Sequence, residues 1–348
     1  MTATEPTDGD HVAPLEERCE WSRDTLEGGY VWRLGPDEQR ELEAALAHAR
    51  ARTAHVLDIT RDDFPLPTLG ARLAVMAEDL IDGRGVALLR GLDLTDLSPD
   101  DASAIYWGVG THLGRPWPQN AKGHLLGDVT DQGRRHEDPT SRGNELGGVG
   151  LPFHSDGSDV VGLFCLDAGV EGGESLVANA LMIHNELART EPGLAAALYD
   201  DFAYDYRGEE GPGQRPWYTM PVFIRHHERL FTRYIRPYMR SVRRHRDAPL
   251  PSEQALAAMD RLDAMCADPA YHVSMRLEPG DMQFINNYHV LHGRAPYRDA
   301  REVGAVRHLK RLWLETRVLT DDDKPERYRM SASAASWWKA AERARGAG

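Results

Sequence analysis

Hydrophobic and polar positions divide the chain into a largely helical first third and a strand-rich remainder. The run PDEQRELEAALAHARAR (36–52) opens with Pro36 and continues in good helix formers, which predicts a helix. A second helix is expected over 68–82. GRGVALLRGL (83–92) is short, apolar and bounded by glycine, and reads as a buried strand. Ser98 caps a third helix, SPDDASAIYWGVGTHLG, with Asp101 three residues further on. Residues 114–150 lose this periodicity and become rich in Gly, Pro, Asn and Arg, with only HLLGDV (124–129) strand-like. A segment of that length and character is usually functional or disordered. Strand signals then multiply, at 160–166, 175–180, 202–207, 220–225, 229–235, 272–278, 281–287 and 305–318. Pro-Gly marks a turn in LEPGD (277–281). Helices interrupt at about 181–200 and 252–267, and SASAASWWKAAERAR (331–345) is helical in pattern.

Helices followed by many short strands predict a mostly β fold with flanking helices, built on a sandwich or barrel core of which the jelly roll is one form. Residues 1–20 read as a mobile tail and 21–348 as one domain. Its expected parts are a helical region (36–113), a loop region beside the substrate (114–150), a β core (83–92 and 151–318) and a C-terminal helix (331–345).

Charge and cysteine content narrow the function classes. The net charge of −14 over 348 residues repels a phosphate backbone, so nucleic acid is not an expected partner. The basic run SVRRHRDA (241–248) is short and reads as a solvated loop. Three cysteines, Cys19, Cys165 and Cys266, are far apart and form no CxxC, which fits a reducing compartment. The N-terminus has no apolar signal region, and no apolar run reaches the roughly 20 residues a membrane helix needs. A cytoplasmic protein with no membrane partner is expected.

The candidate chemistry lies in LPFHSDGSD (151–159). A His-x-acid pair is weak alone: the chain has four, His136/Asp138, His154/Asp156, His226/Glu228 and His245/Asp247, where chance gives about two or three. Context separates them. His136/Asp138 and His245/Asp247 sit in charged loops, and His226/Glu228 reads as a hairpin turn. His154/Asp156 lies against the apolar run VVGLFCL, where rigid elements can fix a metal site. Residues i and i+2 on a strand share a face, so both could meet one ion. INNYHVLHGRAPY (285–297) offers His289 and His292, only one of which can face the same way. Two His and one carboxylate form the facial triad of non-haem Fe(II) oxygenases. In AVRHLKRLWLE (305–315), Arg307 and Arg311 share one side of a strand-like segment with Leu309. Arginines on an inner face imply an anionic ligand, since they are almost never buried unpaired. A guanidinium fork suits the far carboxylate of a 2-oxo acid whose other end chelates the metal.

With these motifs the chain resembles the taurine dioxygenase (TauD/TfdA-like) family of Fe(II)- and 2-oxoglutarate-dependent oxygenases, from about GRGVALLRGL to RLWLE. The family pattern is His-x-Asp, a distant His, then Arg. It matches His154-Ser-Asp156, His292 in LHGR, and Arg307; His289 is passed over because LHGR matches at His292. The resemblance implies a double-stranded β-helix (jelly roll), Fe(II), 2-oxoglutarate and O2. It also implies the metal ligands His154, Asp156 and His292 as the catalytic centre, and Arg307 on the 5-carboxylate of 2-oxoglutarate. EGGESL (171–176) looks like the family's Gly-Gly-acid-hydroxyl segment and adds Ser175 to that carboxylate. Arg311 matches a second arginine that meets acidic substrates in several members. Asp156 argues against halogenation, since halogenating relatives lack this carboxylate. The expected reaction is hydroxylation of a small, carboxylate-bearing metabolite or biosynthetic intermediate, with succinate and CO2 as coproducts. Desaturation, cyclisation and epoxidation are variants of the same chemistry. A zinc hydrolase and a metal-dependent sensor without turnover are the alternatives from other classes. Gln119 and Asn120 are candidate substrate contacts, Trp117, Tyr288 and Phe153 candidate apolar walls, and Asn286 and Asn287 candidate supports of the ligands.

Overall fold

The computed structural model describes residues 12–16, 19–26, 28–135, 137–138, 140–329 and 332–346. His136 of the charged-loop pair and residues 1–11 of the expected tail lie outside them. The strands that build the site are β1 (Val31–Arg33), β2 (Val86–Arg90), β3 (Gly114–Trp117), β4 (Leu126–Val129), β5 (Leu151–His154), β6 (Val160–Asp167), β7 (Ser175–Asn179), β8 (His272–Met275), β9 (Met282–Asn286), β10 (Val290–Arg294) and β11 (His308–Thr316). One sheet has seven strands in the order β1-β2-β9-β6-β11-β3, with β4 also paired to β11; a second has four, β8-β7-β10-β5. All these pairings are antiparallel except β1 with β2.

Period-two alternation explains the layering. Val86, Leu88, Val161, Cys165, Ile285, Leu309 and Trp313 of the large sheet share one apolar cluster with Val177, Met275 and Val290 of the small sheet. Their neighbours Ala87, Leu89, Phe164, Met282, Phe284, Leu312 and Leu314 point the other way, onto helices Leu69–Asp82 and Pro99–Leu113. The outer face of the small sheet, through Phe153, Ala178 and Leu291, is covered by helices Ala180–Thr190 and Glu253–Ala267. Each large side chain so buried contributes roughly 1.5–3 kcal/mol. Gly162 permits the closest approach: a Cβ there would stand 2.4 Å from the Tyr106 hydroxyl, which packs beside Phe164 and Phe284.

Caps and turns follow the sequence signals. Ser98 Oγ accepts the Asp101 N–H at 3.0 Å and opens the helix Pro99–Leu113. His226 pairs with Arg229 across a hairpin whose turn puts His227 at φ +53°. Other expectations need correction. The helix expected over 181–200 is two, Ala180–Thr190 and Pro192–Ala197, because Pro192 cannot continue the ladder and pushes Glu191 out of helical geometry. The strand expected over 305–318 is confined to β11. The tail reading fails for the described residues near its end: Leu15 and Cys19 are buried, and Leu15 exchanges two hydrogen bonds with Asn185, its N–H donating to Oδ1 and its carbonyl accepting from Nδ2, both at 2.8 Å. Two apolar residues among acidic and polar ones are too few to register as an element. No helix among the described residues is long and apolar enough to cross a membrane.

His184 and His289 are buried away from the candidate site, and burial pushes each down to about 4. His184 is held by Tyr199, whose hydroxyl is 2.7 Å from Nε2, and by Asn185 Oδ1 at 3.1 Å from Nδ1. Both are neutral in the fold, whereas the unfolded chain protonates its histidines below about pH 6.5. Their contribution is therefore complete above that pH and is lost as pH falls towards 4. Urea unfolding between pH 7 and 4.5 is expected to show stability dropping by up to about 1.4 kcal/mol per pH unit for each such histidine. His184→Gln lowers stability at neutral pH and removes one proton from that slope; an unchanged slope contradicts the assignment.

Candidate metal centre

His154 ends β5 and stands in register with His292 in β10, their ring centroids 4.3 Å apart. Asp156 lies two residues beyond the strand, in the turn into β6. The pair is therefore not two same-face positions of one strand, as the i, i+2 argument expected; the turn delivers the carboxylate. Backbone bonds fix that turn. Ser155 N–H donates to the Tyr234 carbonyl at 2.9 Å, and Asp156 N–H to Asn287 Oδ1 at 3.0 Å. Asn287 Nδ2 in turn donates to the Ser158 carbonyl at 2.9 Å. One ligand atom from each of His154, Asp156 and His292 lies within 4.8 Å of the others.

The electrostatics suit a divalent cation. Burial pushes the Asp156 carboxyl up, but Arg311, the two histidines and the Trp313 N–H outweigh it and hold the group well below the usual carboxylate range. Trp313 Nε1 donates to Asp156 Oδ2 at 3.0 Å; Arg311 Nη1 lies 3.6 Å and His292 Nε2 3.8 Å from the same oxygen. Burial lowers His154, and burial together with His154 lowers His292 to about 3. His154 Nδ1 is 2.9 Å from the Pro152 carbonyl, which makes Nδ1 the donor and frees the Nε2 lone pair. Two neutral imidazoles and one ionised carboxylate converging at one point fit Fe(II).

A cavity of about 360 Å³ opens from this cluster, lined also by Ser175, Arg307 and Arg311. Arg307 and Arg311 share the inner side of the sheet with Leu309, which packs between the sheets, as alternation required. Arg307 is buried. Its Nη2 donates to the Gly173 carbonyl at 3.3 Å, and its Nη1 has no hydrogen-bond partner among the described residues. Gly173, at φ +73°, makes room: a Cβ there would lie 2.7 Å from Arg307 Nε. Ser175 Oγ donates to Gln283 Oε1 at 2.8 Å.

Sequence reasoning missed Arg294, two residues after His292 on β10. It is buried, lies 4.9 Å over Tyr297 while Arg307 lies 5.2 Å over the same ring, and donates through Nη2 to the carbonyls of Val149 and Leu146. Burial, then Arg307, pushes Arg294 down to about 10. No carboxylate among the described residues is within ion-pair distance of either guanidinium. The signal was present in LHGR, since i and i+2 on a strand share a side.

Other candidates are engaged elsewhere. Gln119 is buried, with Nε2 donating to the carbonyls of Leu125 and Arg311 and Oε1 accepting from Arg311 Nε at 2.8 Å. It braces Arg311 and keeps no group for a substrate. Asn120 Oδ1 accepts the Lys122 and His124 N–H groups in a local turn. Arg311 itself faces Asp156. Phe153 points into the helical side of the small sheet, opposite His154. Asn286 donates to the Leu80 carbonyl and does not touch the ligands; Asn287 does the supporting. Trp117 and Tyr288 line a second cavity, of about 640 Å³, which adjoins the first at Arg142, Asp156, Ile235 and Tyr238.

Two facing sheets with a His/Asp/His cluster and a buried arginine beside it define a non-haem iron oxygenase of the 2-oxo-acid-dependent class. The family model described as "Taurine catabolism dioxygenase TauD, TfdA family" matches residues 48–313, and the chain belongs to that family. It is an Fe(II)- and 2-oxoglutarate-dependent dioxygenase. It is 34% identical over 309 residues to "FR-33289 synthase" of Streptomyces rubellomurinus (strain ATCC 31215), covering 86% of this chain and 90% of that protein. It is 28% identical over 300 residues to "Taurine hydroxylase-like protein SAT17" of Stachybotrys chartarum (strain CBS 109288 / IBT 7711), covering 83% and 76% respectively. The fold is shared with an asparagine oxygenase solved with Fe(II), 2S,3S-3-hydroxyasparagine and succinate, at TM-score 0.64 and 22% identity over 82% of this chain and 94% of that one.

Trp313 tests how the carboxylate is held. Trp313→Phe keeps an aromatic ring of smaller size and deletes the N–H on Asp156. Fe(II) affinity is expected to fall about 10- to 100-fold in an anaerobic titration. Trimming the buried indole also lowers the urea midpoint, so affinity is read on the folded variant, and unaltered affinity refutes the role.

Proposed function

We propose that this dioxygenase hydroxylates a small metabolite at an unactivated C–H, on a double-stranded β-helix formed by the two facing sheets. His154, Asp156 and His292 hold Fe(II), and Arg307, helped by Arg294 and by the Ser175 hydroxyl once it turns from Gln283, holds the 5-carboxylate of 2-oxoglutarate. The observation that carries this reading is Arg307: a buried guanidinium with a partnerless Nη1, in the same cavity as the three ligands. Leaving such a group unsatisfied costs energy, so it implies an anion that arrives with the cosubstrate. A zinc hydrolase has no use for it.

Fe(II) held there would let O2 act as the four-electron oxidant, two electrons coming from 2-oxoglutarate as it becomes succinate and CO2 and two from the substrate C–H. The protein's own part is to position and to exclude. Asn287 fixes the turn that carries Asp156 by accepting its backbone N–H, and Trp313 orients the carboxylate. Arg311, braced by Gln119, keeps it ionised and so keeps its charge available to the metal. Arg307 and Arg294, stacked on Tyr297, hold their forks in fixed planes for a carboxylate. Gly173 allows Arg307 to lie flat against the strand end. A cytoplasmic location accords with three cysteines, Cys19, Cys165 and Cys266, that are all buried.

Anaerobic addition of Fe(II) and 2-oxoglutarate is expected to give a visible metal-to-ligand charge-transfer band, which His292→Ala abolishes. Arg307→Gln should retain Fe(II) binding and raise the 2-oxoglutarate KM at least about tenfold, the loss of one charge-assisted fork. Zinc-dependent hydrolysis without a band would sink the reading.

A further inference from the structure

Between the two sheets the interior is mostly hydrocarbon, and Gln283 interrupts it. This residue of β9 is fully buried and stands two before Ile285, so its side chain enters the same interior as Leu88, Val177, Met275 and Ile285. An amide placed there must find its partners within the protein. Gln283 Oε1 accepts the Ser175 hydroxyl at 2.8 Å, and Nε2 meets Met275 Sδ at 2.8 Å. Ser175 opens β7, where it stands in register with Met275 on one side and Arg294 on the other. It also lines the metal cavity with Arg294 and Arg307. Gln283 thus acts on the cavity through Ser175.

The seat beside Ser175 is short of acceptors. Arg294 Nε, Arg307 Nη1 and the Tyr297 hydroxyl are all buried, and none has a hydrogen-bond partner among the described residues. Arg294 and Arg307 both lie over the Tyr297 ring, so the three groups are gathered at one place. All three can donate, which suits a carboxylate, a group that only accepts. Ser175 does not match them as it stands, because its one proton is given to Gln283. It would turn lone pairs towards an arriving anion.

Resting on the reading above, in which that anion is the 5-carboxylate of 2-oxoglutarate, we infer that Gln283 is a positioning residue for the cosubstrate and that its amide turns over when the carboxylate enters. A half-turn about the last side-chain bond exchanges two ends of nearly the same shape. Nε2 then donates to Ser175 Oγ, and Ser175 donates its own proton to the carboxylate. Turning the hydroxyl alone would leave Oε1 and Oγ facing each other at 2.8 Å with no proton between them. A buried mismatch of that kind costs about ten- to hundredfold in binding. Turning the amide costs only the contact to Met275, since a thioether is a weak acceptor and polarisable enough to pack against either end. The result is a chain of two strong hydrogen bonds where there was one. The first polarises the hydroxyl and so strengthens the second.

The test is anaerobic calorimetric titration of the Fe(II)-loaded enzyme with 2-oxoglutarate and with 2-oxovalerate, the same chain without the distal carboxylate. Should the native protein give no charge-transfer band, or Arg307→Gln bind 2-oxoglutarate as tightly as native, the cosubstrate reading itself fails; neither measurement involves Gln283. With both as expected, Gln283→Met decides. Met is a near-isostere that neither holds nor orients the hydroxyl. It should weaken 2-oxoglutarate about three- to tenfold and leave 2-oxovalerate within about twofold of native. An amide that merely held Ser175 back would give the opposite result, so 2-oxoglutarate bound as tightly as native or tighter overturns the inference. Equal loss of both oxo acids marks general packing and overturns it as well. In a Ser175→Ala background, Gln283→Met should add no more than about twofold, because two residues that act through one contact are not additive. A full further loss there overturns the route through Ser175. Gln283→Glu can only accept and brings a negative charge, so it should weaken 2-oxoglutarate at least about tenfold more than Gln283→Met does, and native-like binding by it refutes the turnover. Gln283→Met places an apolar side chain among apolar neighbours, and so decides the matter even if Gln283→Glu fails to fold.

Discussion

A largely enclosed negative charge, the Asp156 carboxylate, is the constraint around which the site is organised. A carboxylate taken out of water must be paired and hydrogen-bonded or it will protonate. Here its partners come from several elements: Arg311 and Trp313 from β11, His292 from β10 and His154 from β5, while Asn287, from the turn between β9 and β10, accepts the Asp156 backbone N–H and fixes the turn. These elements belong to both sheets. Satisfying one carboxylate therefore ties the open end of the sandwich together, while Val86, Val177, Ile285 and Val290 close the rest of the interior with hydrocarbon.

Arg294 and Arg307 present the opposite problem. They are buried cations whose lining supplies carbonyls and one tyrosine ring in place of a carboxylate. Carbonyls satisfy donors but do not neutralise charge, and this is why burial depresses both groups. The fold tolerates the deficit because apolar layers on both faces of each sheet hold the strands in place regardless. An anion that neutralises the pair binds the folded state only, so the same deficit becomes binding energy for that anion.

Legibility in the sequence followed the physics of each element. Layers were readable because strand alternation and helix periodicity are local patterns, and β6, β9 and β11 sit where the apolar runs sit. The tiny strands β1 and β3 were not, because three or four residues with no alternation carry no periodic signal and exist only through their partners β2 and β11. His154, Asp156, His292 and Arg307 were legible as a set because spacing and residue type are both constrained there. The reason first given for joining His154 to Asp156 was incomplete: a turn, fixed by Asn287 from 131 residues away, brings in the carboxylate. Gln119 looked like a substrate contact because an amide in a loop is ambiguous until its partners are seen. Arg294 was overlooked although it obeyed the same i, i+2 rule that had been applied elsewhere.

Net charge is a poor guide to the charge a ligand meets. An acidic surface governs distant encounters within roughly a Debye length of about 8–10 Å in physiological salt. Inside the cavity the field comes from the few groups that line it, at a lower effective dielectric, where each counts for more. Arginine occupies three separate settings within that space. Arg311 lies 3.6 Å from Asp156 Oδ2, Arg307 and Arg294 share the Tyr297 ring, and Arg142, Arg207 and Arg240 line the remaining volume. Lysine would serve the second and third badly, since an ammonium lacks the planar fork and stacks less well on Tyr297 or Tyr238. The arrangement also explains why the loop region 114–150 is divided in use. Its first part, through Gln119, is locked onto Arg311 and hence onto Asp156; its last part, through Ser141, Arg142, Gly143, Asn144 and Leu146, lines the cavity.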